Sequence, residues 1–188
     1  AMRRLADAWE RYSRIPVLYR LDCPRRQDAV AEDYLVTRYR ELIEILKQRA
    51  GHPICQDDIR NAIEILNESR QLISRIAELR RMPGNSLTSA DFSDIVRCSL
   101  QADKSLFNRE AVRFLAAHKS TNPNRSSSPK VLLCGCAVIG RELHEMIESC
   151  GVRIVGDDLC TGERHFDGLV DTSLDPLRGV ARRYLQRR

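Results

Sequence analysis

The chain has 188 residues, 43% of them apolar and 30% charged, with a net charge of +5. That size suits one domain, or two small ones sharing an interface, and is enough to bury a core. The charge density, and the lack of any apolar run near the roughly 18 residues of a spanning helix, exclude a membrane protein.

The opening run from Ala1 to Trp9 places Asp7 where a secretion signal needs apolar residues. Seven cysteines without secretory features fit reduced thiols, so a cytoplasmic protein is expected. Most of the seven are expected to be small buried residues. No Cys-x-x-Cys pair exists, and no zinc site is expected. The excess positive charge gathers partly at the ends, at Arg3, Arg4, Arg11 and Arg14 and again at Arg178, Arg182, Arg183, Arg187 and Arg188. No aromatic stripe joins these residues, so a surface for nucleic acid is not expected.

Residues 1–12 read as a short helix with Leu5, Ala8 and Trp9 on one face. Ile15 to Leu21 reads as a strand, closed by Asp22-Cys23-Pro24, with no parallel neighbour in the chain before residue 131. Asp28 to Arg49 reads as a long helix with Val30, Tyr34, Leu42 and Leu46 as its buried stripe, stopped by Gly51. Asp57 to Arg81 reads as a second, with Ile59, Ile63, Leu66, Leu72, Ile73 and Ile76 inward and Pro83-Gly84 ending it. Thr88-Ser89-Ala90-Asp91 has the form of a capping box that opens a third helix to about Leu100. A fourth is expected from about Asn108 to His118.

Residues 120–129, rich in Ser, Asn and Pro, read as a linker. Beyond it the pattern changes. Lys130 to Cys134 is a short apolar run of the kind a buried parallel strand shows. A turn follows over 135–140, then a helix from Glu142 to Ser149 with Leu143, Met146 and Ile147 inward, stopped by Gly151. Val152 to Val155 is the next strand, and Pro176 opens a last helix over 176–187. The expected fold is α/β, a helical layer followed by a partial Rossmann-like parallel β-α-β domain.

In open parallel sheets ligands sit beyond the carboxyl ends of the strands. Two loops qualify, 135–140 and 156–164, and they should lie side by side. Gly135 and Gly140 have Walker A spacing, but Arg141 and Glu142 follow, so neither a phosphate lysine nor a magnesium hydroxyl is present. For a dinucleotide turn, Asp157 is placed to meet a ribose hydroxyl, but Cys136 and Ala137 interrupt the glycine pattern. A third reading is a cofactor or thioester pocket lined by Cys136, Asp157, Asp158, Cys160, Thr161 and Arg164. Against it stands the plainer one, in which Asp158 and Thr161 cap a turn.

Gly156-Asp157-Asp158-Leu159-Cys160-Thr161-Gly162-Glu163-Arg164 resembles a segment of the paired subunits of 2-hydroxyacyl-CoA dehydratases and of their relatives, the ATP-dependent benzoyl-CoA reductases. Arg3 to Trp9, Leu21 to Arg25, Asn67-Glu68-Ser69-Arg70, and Leu174-Asp175-Pro176-Leu177 with Ala181 to Leu185 resemble other stretches of that family in the same order. The resemblance implies two Rossmann-like domains and a helical part. On that basis residues 1–26 are the end of the first domain, 27–119 the helical region, 120–129 the linker and 130–188 part of the second. It also implies a [4Fe-4S] cluster near an acyl-CoA thioester, a paired homologous subunit and a separate ATP-dependent iron-sulfur activator protein. Such a dehydratase, a lyase of anaerobic metabolism, removes water through a ketyl radical to give an enoyl-CoA; the reductase reduces an aromatic ring.

The cluster cysteines of that family match none of Cys23, Cys55, Cys98, Cys134, Cys136, Cys150 or Cys160. The chain is therefore expected to be a central piece of a subunit, inactive alone, with the metal ligands elsewhere. Gly135, Cys136, Asp158, Cys160, Thr161 and Arg164 are the candidate binding residues, Arg164 for a CoA phosphate and Asp158 for a hydroxyl or amide; Cys136 or Cys160 is a candidate to face the cluster. A non-catalytic family member and a nucleotide-binding module using Asp157 are the rival readings.

Overall fold

The computed structural model describes residues 2–13, 19–82, 84–118, 128–138 and 140–186. Helices dominate: α1 (Met2–Tyr12), α2 (Ala29–Ala50), α3 (Gln56–Arg81), α4 (Ser89–Gln101) and α5 (Lys104–Ala117) precede β1 (Lys130–Cys134), α6 (Glu142–Ser149), β2 (Arg153–Asp158), the single turn α7 (Glu163–Phe166) and α8 (Pro176–Gln186). The chain divides into two compact units, residues 1–59 with 171–188, and residues 60–170.

The first unit is built on α2 against α8. Asp28 caps α2, its side chain accepting from the Ala31 N–H at 2.9 Å, and Gly51 ends the helix at φ +72°, where a side chain would be strained. Ala31, Leu35 and Val36 pack on Ala181 and Leu185. This is a different stripe from the expected one: Val30 is 73% exposed, Tyr34 and Leu46 are exposed, and Leu42 is half-buried. The face turned to α8 is set by Ala31 and Leu35, four residues apart, and by Glu32, which is buried and meets Arg178 at 2.9 Å and Arg182 at 3.2 Å.

Within the expected strand 15–21, residues 15–18 lie outside those described, and Tyr19 to Leu21 are not in a strand. Side-chain contacts occupy them instead. The Tyr19 hydroxyl donates to the Arg38 carbonyl at 2.7 Å, and Arg20 pairs with Asp7 and Glu10 at 2.9 and 2.8 Å. On α1, Leu5 and Trp9 are exposed.

The second unit holds the larger core. Leu72, Ile73, Ile76 and Ala77 of α3 pack with Leu87, Phe92, Val96, Phe107, Ala111 and Phe166. Each large apolar side chain so buried contributes on the order of 1.5–3 kcal/mol. The capping box that opens α4 is formed as expected, with Thr88 Oγ1 accepting from the Asp91 N–H at 3.0 Å. Helix α5 begins four residues before its expected start because Asp103 caps it, accepting from the Leu106 N–H at 2.9 Å. The linker expected at 120–129 lies outside the described residues up to 127, as does Pro83.

The β-α-β unit is present. Strands β1 and β2 run parallel, with Lys130 opposite Arg153 and Cys134 opposite Asp158. The expectation that β1 is buried fails: Leu132 is 64% exposed, since among the described residues the sheet has two strands and one face of β1 stays uncovered. On α6 the inward residue is His144, while Leu143 and Met146 are exposed. Arg141 anchors the start of that helix, meeting Asp91 at 3.2 Å, Asp94 at 2.5 Å and Glu145 at 2.8 Å. All seven cysteines are exposed, against the expectation that most are buried. Cys134 shares the uncovered face of β1 with Leu132, and Cys136, Cys150 and Cys160 follow the ends of β1, α6 and β2.

Candidate functional site

The two loops at the carboxyl ends of β1 and β2 are sewn together. The sheet ladder continues past the strands, with the Gly135 N–H donating to the Asp158 carbonyl at 3.3 Å. The Cys160 N–H then donates to the Cys136 carbonyl at 2.6 Å. Thr161 closes the seam: its hydroxyl oxygen accepts from the Val138 N–H at 3.2 Å and its O–H donates to the Val138 carbonyl at 3.1 Å. Candidate residues from both loops, Gly135 and Cys136 from one and Asp158, Cys160, Thr161 and Arg164 from the other, thus form one edge.

Asp158 and Arg164 are already partners. Arg164 Nε donates to Asp158 Oδ1 at 2.8 Å, and its second terminal nitrogen donates to the Asp158 carbonyl at 2.9 Å. The remaining terminal nitrogen lies 3.4 Å from Cys160 Sγ. The guanidinium holds the Asp158 carboxyl below the usual carboxylate range, and Asp158 in turn raises Arg164 further above its ordinary value. A phosphate arriving at Arg164 must therefore share it with Asp158. Thr161 acts as a latch between the loops, and its two hydrogen bonds to Val138 assemble the edge.

Asp157 has a different place. It is buried, its Oδ1 accepts from the Glu163 N–H at 2.7 Å, and its Oδ2 accepts from Arg80 at 3.1 Å. With both oxygens committed inward it offers no ligand to a ribose hydroxyl, which removes the basis of the nucleotide reading.

Sequence reasoning missed Arg80. It lies at the end of α3, fully buried, and bridges Asp157 and Glu163, with Glu163 2.6 Å away and also paired to Arg81. Its guanidinium stacks 4.1 Å from the Phe92 ring centre. A signal was present: Arg80 continues the apolar stripe Ile73-Ile76-Ala77 at helical spacing, so it points where a side chain must be inside.

Among the described residues no group of three or more His, Cys, Asp or Glu side chains is placed to hold a metal ion. An iron-sulfur cluster bound through several thiolates does not find its ligand set there. No helix among them is long and apolar enough to cross a membrane.

Comparison with known proteins meets this geometry. The chain is 21% identical over 162 residues to the (R)-phenyllactyl-CoA dehydratase beta subunit of Clostridium sporogenes, covering 86% of this chain and 43% of that protein. It is 25% identical over 150 residues to YjiM of Escherichia coli (strain K12), a protein named as a dehydratase subunit, covering 77% of this chain and 39% of that one. The chain thus spans about two fifths of the length of these curated relatives. The family model for the 2-hydroxyglutaryl-CoA dehydratase D-component matches residues 1–188, and the resemblance carried by Gly156 to Arg164 and the ordered motifs around it holds: the chain belongs to that dehydratase family.

Proposed function

We propose that this chain is the part of a 2-hydroxyacyl-CoA dehydratase subunit that builds one wall of the acyl-CoA pocket. In this reading the β-α-β unit is part of a Rossmann-like domain. Gly135, Cys136, Asp158, Cys160, Thr161 and Arg164 face the substrate, and the reaction of the whole enzyme is dehydration of a 2-hydroxyacyl-CoA to an enoyl-CoA. The observation that carries it is the seam between the two strand-end loops, which gathers these residues on one edge where parallel sheets bind ligands.

The role assigned to these residues is binding and orientation. Arg164, already charged and directed by Asp158, supplies a cation for a CoA phosphate. The backbone of Gly135 and Cys136, tied to the second loop, gives a rigid floor. A [4Fe-4S] cluster, a paired homologous subunit and an ATP-dependent iron-sulfur activator complete the enzyme in this proposal. The cluster ligands lie in other parts of the subunit, and the side chains of this edge bind without transferring a proton.

The test is acyl-CoA affinity, measured by calorimetry on the complete paired-subunit enzyme. Arg164→Ala removes one charge-assisted contact worth about 1.5–3 kcal/mol, so affinity should fall at least tenfold. An unchanged dissociation constant in a folded variant would remove this edge from the pocket.

A further inference from the structure

Arg80 is not among the candidate binding residues, and its surroundings explain why a charge is kept where the helix stripe calls for an apolar side chain. It is fully buried, and two of its guanidinium nitrogens, Nε and one terminal nitrogen, have no hydrogen-bond partner among the described residues. The other terminal nitrogen reaches Asp157 at 3.1 Å and Glu163 at 2.6 Å. Its backbone carbonyl accepts from Arg153 at 2.7 Å. Arg80 therefore grips β2 at its first residue and at its fifth, and the turn beyond it at Glu163.

A buried ion pair with unsatisfied donors is a poor stabiliser, and an apolar side chain of similar volume generally serves packing as well or better. What the arginine supplies that methionine or leucine cannot is direction. One nitrogen holds two carboxylates that would otherwise repel each other. Asp157, so fixed, accepts the Glu163 N–H at 2.7 Å and closes the turn from 157 to 163 upon itself. Asp158, Cys160 and Thr161 are carried on that turn, and Arg164 follows directly.

We propose that Arg80 is a positioning residue for the strand-end edge, holding Asp157 and Glu163 together so that the turn presents Asp158, Cys160 and Arg164 in one arrangement. The proposal rests on the reading of that edge as part of an acyl-CoA pocket, and its test reads the turn separately from the ligand.

Hydrogen exchange by mass spectrometry on the complete paired-subunit enzyme supplies that test. In Arg80→Gln the Cys160 and Glu163 amides, protected by Cys136 and Asp157, should exchange about tenfold faster or more, while the amides of α4 and α5 keep the parent rates. Arg80→Lys keeps one cation against the carboxylates and should restore much of the protection. Acyl-CoA affinity should fall with the lost protection. Unchanged exchange at Cys160 and Glu163 in a folded Arg80→Gln enzyme overturns the proposal. So does uniform acceleration across α3, α4 and β2, which marks a general stabiliser. Local acceleration with unchanged acyl-CoA affinity supports the positioning role and counts against the pocket. Should Arg80→Gln fail to fold, Asp157→Asn keeps the arginine and removes the charge it holds, and the same amides decide by the same criteria.

Discussion

Gly162 and Asp157 fit each other with no room for a further atom: a Cβ on Gly162 would stand 1.8 Å from Asp157 Oδ1. That oxygen is the one accepting the Glu163 N–H, so the glycine is required by the closure of the turn. Gly162→Ala should push Asp157 out of line with Arg80 and destabilise the protein by about 1–3 kcal/mol, the usual range for overpacking a filled site. A lowered urea midpoint with an unchanged m-value checks this. A midpoint equal to the parent's would mean the turn has slack that the structure does not show.

Arg80→Ala tests the same cluster from its centre. The substitution leaves the buried Asp157 without its cation, while Glu163, partly exposed, keeps Arg81. Breaking a buried pair in this way costs up to about 3–5 kcal/mol, expected here as local opening of the 157–163 turn and read as faster hydrogen exchange there. Adding Asp157→Asn to the same chain removes the stranded charge and should recover part of the loss. A double variant no more stable than the single would show that cavity formation, and not charge, dominates.

Thr161→Val replaces the latch by a side chain of nearly the same shape. Both contacts to Val138 are lost, and the Val138 N–H and carbonyl lose their partner. The expected loss is about 1–3 kcal/mol, confined to the seam because neither loop contributes to the main core. Faster hydrogen exchange at Val138 and Cys160, with α3 and α4 unchanged, is the expected pattern. Equal effects throughout the second unit would mean the seam is part of its global cooperativity.

Much of this architecture is legible in the amino-acid sequence. The β-α-β unit shows itself because an apolar run, a glycine-bounded turn, an eight-residue helix and a second apolar run follow one another between Lys130 and Val155. The capping box at Thr88 is legible because two side chains three residues apart satisfy each other's backbone. The side-by-side loops follow from parallel strand direction alone.

What escapes depends on distant partners. Nothing local to Val30 or Ala31 says which will meet α8, since the choice is made by Glu32 meeting Arg178, 146 residues away. Arg80 looks like an ordinary cation at a helix end until Asp157, 77 residues later, is brought to it. Asp157 looks like a ligand because its position fits one; only the packed structure shows that both of its oxygens are already engaged.

His144 gives a prediction in pH. It is buried on α6, its Nδ1 lies 2.7 Å from the Ser89 hydroxyl, and its Nε2 has no partner among the described residues. Burial lowers its pKa, and nearby Arg80 lowers it further, against the raising influence of Asp157, Glu148 and Asp94. The folded protein thus takes up the proton less readily than the unfolded chain, whose histidine titrates near about 6.5. The stability that follows from keeping His144 neutral is present above that value and is lost as pH falls through it toward the lower folded pKa. Urea midpoints should be flat from about pH 7 upward and decline from about 6.5 toward 5, where carboxylates such as Asp91 and Asp158, with lowered pKa values, remain charged. His144→Asn keeps an acceptor for Ser89 and cannot take up the proton, so its decline over that window should be shallower than the parent's. Identical slopes in the two proteins would place the acid sensitivity in another group.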